Sequence, residues 1–420
     1  MSRFIIHLIA FAVLAVCSLP LRAQNSKMDV QDVILLAEQY SPELARYKNE
    51  IASIKADIWA AIGLKGVDVT RSREGIPQGG SGFGEQKWSV STTIPFPLTA
   101  FSARNEIKQR VESRKSIYES ERLGLRSSVK KAYTELLYAQ EMVHLRQQEV
   151  DLASTLVEVV SGRVEVGEAA ELERMKVELR RVASQNALQE AQLAFDKRRY
   201  EMFRLMGIDP DQQQYTISFP DTMTFQLIPI TQAEVMSGIT NHPRLNAGIW
   251  TEKAAKTSVK TSRYRYLPEL KVGYWPQDFG AGYDYYGTEI GFRFTLPFLG
   301  QSRTNRIQAK NAVIASQIDN RAITLDLKKR AEFAWHGYET ARLAAERFIQ
   351  KQSEMANRLL QLTREGYQLG ELDLLTVLDT QRTYLAVQSG YYRALKDYYL
   401  SAINMEELVG RELIFQSKND

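Results

Sequence analysis

Cysteine is all but missing from this chain of 420 residues: Cys17 is the only one. Without a second thiol there is no disulfide framework and no thiolate metal site. Histidine is nearly as scarce. His7, His144, His242 and His336 lie far apart, with no spacing that would gather zinc ligands. The ten methionines form no cluster. Neither sign of charge prevails: 54 Lys and Arg face 50 Asp and Glu, a net charge of +4 with no basic block, which gives no footing for nucleic acid. Beyond the N-terminal segment no apolar run approaches the roughly 20 residues of a membrane-spanning helix. If the chain crosses a membrane, it does so as strands. The glycine-rich "GGSGFG" at 79–84 lacks the Lys-Ser/Thr of a phosphate loop and reads as a surface loop. No nucleophile motif, metal-ligand set or cofactor fingerprint is present. The expectation is a protein that is not an enzyme and binds no cofactor.

The one long apolar run stands at the start. Arg3 opens it, Phe4 to Leu19 is almost unbroken, and small Ala23 precedes Gln24. That is the pattern of an export signal, so residues 1–23 are expected to be cleaved. Two alternatives are an uncleaved anchor, for which the run is short, and a lipid anchor on Cys17. Val16 before Cys17 is bulkier than lipidation sites accept.

What the chain does have is repetition. "VGE" at 166–168 returns as "LGE" at 369–371, and Gly207 returns as Gly410, both 203 positions on. "SPELA" at 41–45 is answered by "HPRLN" at 242–246, and "TTIPFPL" at 92–98 by "FTLPFLG" at 294–300. Four landmarks in one order at near-constant offset indicate a duplication. The expected division is a signal peptide at 1–23, a first repeat at 24–207, a polar connector at 208–230, a second repeat at 231–410 and a tail at 411–420. The period far exceeds the 20–50 residues of solenoid repeats.

Each half reads as helix, two strands, very long helix, turn, long helix. After Pro97 only Gly124 interrupts the helical pattern before Gly162, about 60 residues or about 90 Å at 1.5 Å per residue. Val129, Leu136, Val143, Val150 and Val157 recur every seven residues, as do Phe348, Met355, Leu362 and Leu369. Near the C-terminus two stripes run side by side: Val377, Tyr384, Tyr391, Tyr398, Met405 and Leu378, Leu385, Tyr392, Tyr399. A strict seven-residue repeat imposes a left-handed supercoil. Adjacent stripes give the helix a partner on each flank. A soluble antiparallel bundle would satisfy the helices equally well.

The strands bear on that choice. "EQKWSVSTTIP" sets Trp88, Val90, Thr92 and Ile94 on one face, and "YGTEIGFRFTLP" sets Ile290, Phe292, Phe294 and Leu296 on one face. Alternation over about 9–11 residues is the length of a transmembrane strand. Their partners are 64–74 and 268–277, and Trp275, Tyr283, Tyr285 and Tyr286 would suit an aromatic girdle. An ordinary sheet beneath the helices shows the same alternation. In lipid, however, an open four-stranded sheet leaves backbone groups unpaired at its edges, each costing several kcal/mol. Several chains would have to pool strands into one barrel; three chains give twelve.

These features together resemble the TolC-type outer-membrane factors of Gram-negative tripartite efflux and secretion systems. The marks are the "SPELA"/"HPRLNA" openings, the proline-ended strands before long helices, the "VGE"/"LGE" turns, and "LLTVLDTQRTYLAVQSGYYRALKDYYLSAINMEELVG" closing on Gly410. The match runs over essentially the whole mature chain. The resemblance implies a mainly α fold with a membrane β-barrel. Long antiparallel coiled helices would form a periplasmic α-barrel, and four strands per chain would complete a 12-stranded barrel in a homotrimer. It implies a passive outer-membrane channel, embedded in outer-membrane lipid. Substrate would arrive from an inner-membrane pump of the resistance-nodulation-division type and a periplasmic adaptor (membrane-fusion) protein. Length and the missing lipid-anchor motif look similar to the metal-efflux (CusC/CzcC-like) branch as much as to drug-efflux members. The alternatives are the exit duct of a type I protein secretion system and a periplasmic coiled-coil adaptor. The adaptor should show a lipoyl-like β half.

The resemblance also assigns residues. The adaptor-docking tips would be Arg163, Val166, Gly167, Glu168, Leu369, Gly370 and Glu371, with Tyr367 beside them. The pore gate would be Glu173, Tyr367 and Asp379. This chain departs from the family at Thr376, where another acid is common, and at Leu372, where an Arg can lock the gate. Beside these roles stand plain structural ones. Glycine permits the turns, Glu complements a following helix dipole, and Asp379 can pair with Arg382 at i,i+3.

Overall fold

The structure is a computed structural model that describes residues 28–63, 66–80, 82–207, 222–279, 284–294, 296 and 300–415. The expected signal peptide, most of the expected connector, Tyr283 and the end of the tail lie outside these residues. Two short helices open the chain, α1 (Val30–Tyr40) and α2 (Pro42–Ile62), followed by β1 (Val67–Glu74) and β2 (Glu85–Ile94). Helix α3 (Pro97–Glu165) is continuous over 69 residues, about 100 Å, and α4 (Glu171–Leu205) runs back beside it. The second half follows the same order: α5 (Gln232–Gly238), α6 (Pro243–Tyr264), β3 (Glu269–Asp278), β4 (Asp284–Arg293), α7 (Gly300–Arg347), a π-helical turn at Phe348–Gln352, α8 (Ser353–Gln368) and α9 (Leu374–Val409).

The paired openings have a local cause. Ser41 caps α2 by accepting from Leu44 N at 3.2 Å, and His242 Nδ1 caps α6 by accepting from Arg244 N at 3.2 Å. Pro42 and Pro243 then fill the first helical position, where no donor is needed.

The four strands form one antiparallel sheet in the order β1-β2-β3-β4. Its register gathers the apolar residues on one face. Val69 lies opposite Val90, Val90 opposite Tyr274, Val272 opposite Ile290 and Leu270 opposite Phe292. That face is open: Ile290 is 76% exposed and Phe292 64%. The other face is polar, with Thr70 bonded to Ser89 and Lys271 paired to Glu289 at 3.0 Å. The expected aromatic girdle is corrected here. Strict alternation puts Trp275 and Tyr285 on the polar face, where Trp275 lies over Gly287 and under Lys87. Tyr286 does stand on the apolar face as expected, joined there by Tyr274, rings 6.3 Å apart.

The main core lies where α1, α3, the end of α4, α5, α7 and α9 meet the segment 222–230. Tyr398 and Tyr338 stitch that segment in. Ile228 N donates to the Tyr398 hydroxyl at 3.1 Å, and Tyr338 donates to Ile228 O at 2.9 Å. Lys130, 1% exposed, bonds Glu406 and donates to Ile414 O at 3.1 Å. Glu406 in turn accepts from Leu413 N and Ile414 N. One heptad stripe departs from expectation. Phe348 packs on the core, but Met355 is 69% exposed and Leu362 48%. Below it the buried residues are Ala356, Leu360, Thr363 and Tyr367. The π-helical turn takes up one extra residue and moves the buried stripe on by one position.

Candidate functional site

At the end away from the sheet, α3 passes to α4 and α8 passes to α9 through the same turn. Gly167 and Gly370 take φ of +79° and +76°. Glu168 N donates to Arg163 O and Gly167 N to Val164 O, at 2.8 and 3.1 Å. Glu371 N donates to Gly366 O and Gly370 N to Tyr367 O, at the same two distances. This is the Schellman pattern, which satisfies the last carbonyls of a helix. The Glu of each Gly-Glu pair therefore closes the helix before it and does not start the one after, a correction to its expected dipole role. Helix α4 begins after Ala170, with Glu171 and Glu173 in its first turn. Helix α9 is capped by Asp373, which accepts from Thr376 N at 2.8 Å.

Each turn presents an apolar residue to solvent. Val166 is 70% exposed and Leu369 74%, each followed by Gly and Glu. Arg163 behaves differently from its neighbours. It reaches inward to the second tip, its guanidinium 5.0 Å from the Tyr367 ring centroid and its Nη1 donating to Tyr367 O at 3.3 Å. Its Nε lies 3.7 Å from Glu168.

Tyr367 is buried, in a small core with Leu156, Val160, Val177, Leu374 and Val377. Burial, and after it the Glu173 carboxylate, pushes the phenol above its ordinary value, so it stays protonated. Its hydroxyl has no hydrogen-bond partner among the described residues. The structure thus brings Arg163, Glu173 and Tyr367 together. Asp379 stands apart, exposed on α9, and makes no ion pair with Arg382. Leu372 packs on Gly366, where an added Cβ would come within 2.8 Å of it. Sequence reasoning passed over Gln381. It is 4% exposed with an unpartnered Nε2, and lines a groove of about 450 Å³ beside Tyr367. Only its place in "LDTQR", near the start of the long C-terminal stretch that carries the resemblance, could have marked it.

A sheet apolar on one face and polar on the other, with β1 and β4 unpaired at its edges and no helix across it among the described residues, is a segment of a membrane barrel completed by further copies. Joined at one end to helices about 100 Å long, it defines a channel subunit with a tall helical extension.

The relatives agree. The family described as "Outer membrane efflux protein" matches residues 44–208 and 237–411, and the chain belongs to that family. It is similar to the cobalt-zinc-cadmium resistance protein CzcC of Cupriavidus metallidurans, 23% identical over 292 residues, 68% of each chain. It is also similar to the outer membrane protein TolC of Vibrio cholerae, 22% identical over 350 residues, 79% of this chain and 76% of that one. Its fold matches the crystal structure of CusC with a TM-score of 0.75 at 14% identity, covering 93% of this chain and 95% of that one. The chain is an outer-membrane efflux channel subunit with a periplasmic helical barrel, from a family of channels rather than enzymes. Family members form trimers and serve as the outer-membrane parts of tripartite systems. The secretion-duct and adaptor alternatives are not favoured.

Proposed function

We propose that this channel conducts divalent metal cations received from a resistance-nodulation-division pump, and that a periplasmic adaptor grips it by the two tips of each subunit. The docking surface is Val166, Gly167 and Glu168 with Leu369, Gly370 and Glu371. Arg163 holds the tips together through Tyr367 and does not itself meet the partner. The observation that carries this is the equivalence of the tips: the same turn, apolar residue, glycine and carboxylate stand 203 positions apart. Three copies would present six such knobs to a ring of adaptor hairpins. Glu173 beside Tyr367, with Asp379 further along α9, would line the closed aperture, and rings of carboxylates favour cations. The likeness to a cobalt-zinc-cadmium resistance protein supports a metal cargo.

The test measures adaptor binding by the reconstituted trimer. Val166→Asp and Leu369→Asp are expected to weaken it about tenfold each, roughly 1.4 kcal/mol, with the trimer intact. Unchanged binding by both would overturn the docking surface. In planar bilayers Glu173→Gln with Asp379→Asn should lower cation-over-anion selectivity several-fold, and unchanged selectivity would remove these residues from the aperture. A strain lacking the gene should become sensitive to divalent metals and regain tolerance with the wild-type gene.

A further inference from the structure

We propose that the membrane-proximal ends of the helices form a cationic collar that binds anionic phospholipid of the periplasmic leaflet. The inference rests on the sheet lying in the outer membrane. All four passages between helix and sheet, from α2, to α3, from α6 and to α7, occur at one end of the strands, so the helix ends there lie next to the headgroups of that leaflet.

Cations outnumber carboxylates there, although Asp57 on α2, Glu106 on α3 and Glu252 on α6 stand among them. Helix α6 carries Lys253, Lys256, Lys260 and Arg263, all exposed, at spacings of three and four that put them on one face. No acidic residue occurs between Glu252 and Glu269. Helix α7 has none from Gly300 to Ile318, while Arg303 and Lys310 stand exposed on one face. On α3, Phe101 is 63% exposed nearest the sheet, and Arg104 and Lys108 follow on the same face. Further from the sheet the pattern changes: Arg114 and Lys115 are paired with Glu50 and Glu112. Nearer the sheet Lys256 pairs with Glu252 at 2.7 Å, while Lys260, Arg263, Arg104, Lys108, Arg303 and Lys310 have no ion pair among the described residues.

Two features point to lipid rather than a soluble anion. An exposed aromatic stands between the sheet and the cations on both helices of the first half, Phe101 on α3 and Trp59, 75% exposed, on α2. Aromatic residue at the hydrocarbon boundary, cation at the headgroup, is the order of a membrane interface. Between α2, α3 and α6 a groove of about 580 Å³ has an apolar floor of Ile58, Val111 and Trp250, with Lys55, Lys108 and the Lys115–Glu112 ion pair also lining it. It offers apolar surface and positive charge together, as a phospholipid requires. Each such cation near an anionic surface strengthens binding about fivefold.

Native mass spectrometry of the full trimer, released from nanodiscs, tests this. At low salt the wild type should retain phosphatidylglycerol at least tenfold over phosphatidylcholine. The K253Q/K256Q/K260Q/R263Q variant should lose that excess at least tenfold, and R104Q/K108Q should lose part of it. K176Q/K197Q/R358Q/R382Q, altered far from the sheet, should keep it. Equal retention of the two lipids by the wild type, or an undiminished excess in both collar variants, would overturn the proposal. So would a change confined to the ion selectivity of conductance, which would place these cations in the bore. Insertion of the wild-type trimer into purely zwitterionic nanodiscs reports separately on the channel reading.

Discussion

Single torsions and single protons decide much at the residue scale. Gly167 and Gly370 hold φ near the left-handed region, and a Cβ at either would meet nothing within 4 Å. The demand is torsional, not steric. An L-residue in that region costs about 1–2 kcal/mol. Gly370→Ala should therefore lower stability by about 1 kcal/mol, seen as a shifted denaturation midpoint at unchanged slope; no shift would contradict this. His242 poses a different question. It caps α6 through an unprotonated nitrogen, and burial, followed by the nearby Arg330 charge, lowers its pKa below 6.5. A group whose folded pKa is depressed contributes stability that is complete above the unfolded value and lost as pH falls through the folded one. Melting compared at pH 7.5 and pH 5 should show that loss in the wild type. His242→Asn, which keeps a capping acceptor without a titrating group, should show less of it. An equal loss in both would place the acid sensitivity elsewhere.

Individual helices and turns show how far the sequence could be read. The openings at Ser41-Pro42 and His242-Pro243 were legible because cap and proline are local signals. The strands were legible because alternation is local too. The π-helical turn was not: no residue in "FIQKQ" announces it, and it displaced the predicted Phe348 stripe by one position. The contact of Arg163 was not legible either, since Tyr367 lies on another helix and a cation over a ring leaves no mark in spacing. Long-range pairing hid Lys130 and Glu406 for the same reason. Lys130→Met would leave Glu406 buried and unpaired, which should destabilise by about 3–5 kcal/mol and free the C-terminal segment. K130M/E406L should recover much of that, and a double variant no better than the single would refute the pairing. Thermal melts with limited proteolysis of the C-terminus would report both.

For the whole molecule, the decisive feature is what four strands cannot do alone. Both sheet edges are open and the apolar face is bare, so the barrel exists only when β1 of one copy lies beside β4 of the next. The duplicated halves extend that logic to the tips, where each chain supplies two equivalent ends. The absence of cysteine after Cys17 makes the closure directly measurable. The mature chain should carry V69C on β1 together with a single cysteine at Thr288, Ile290 or Phe292 on β4, and be oxidised in the membrane. At one of these registers the products should be covalent dimers and trimers and nothing larger, because three copies close the ring. Chains that stay monomeric at every register, or a ladder that climbs past three, would contradict a barrel shared by three subunits.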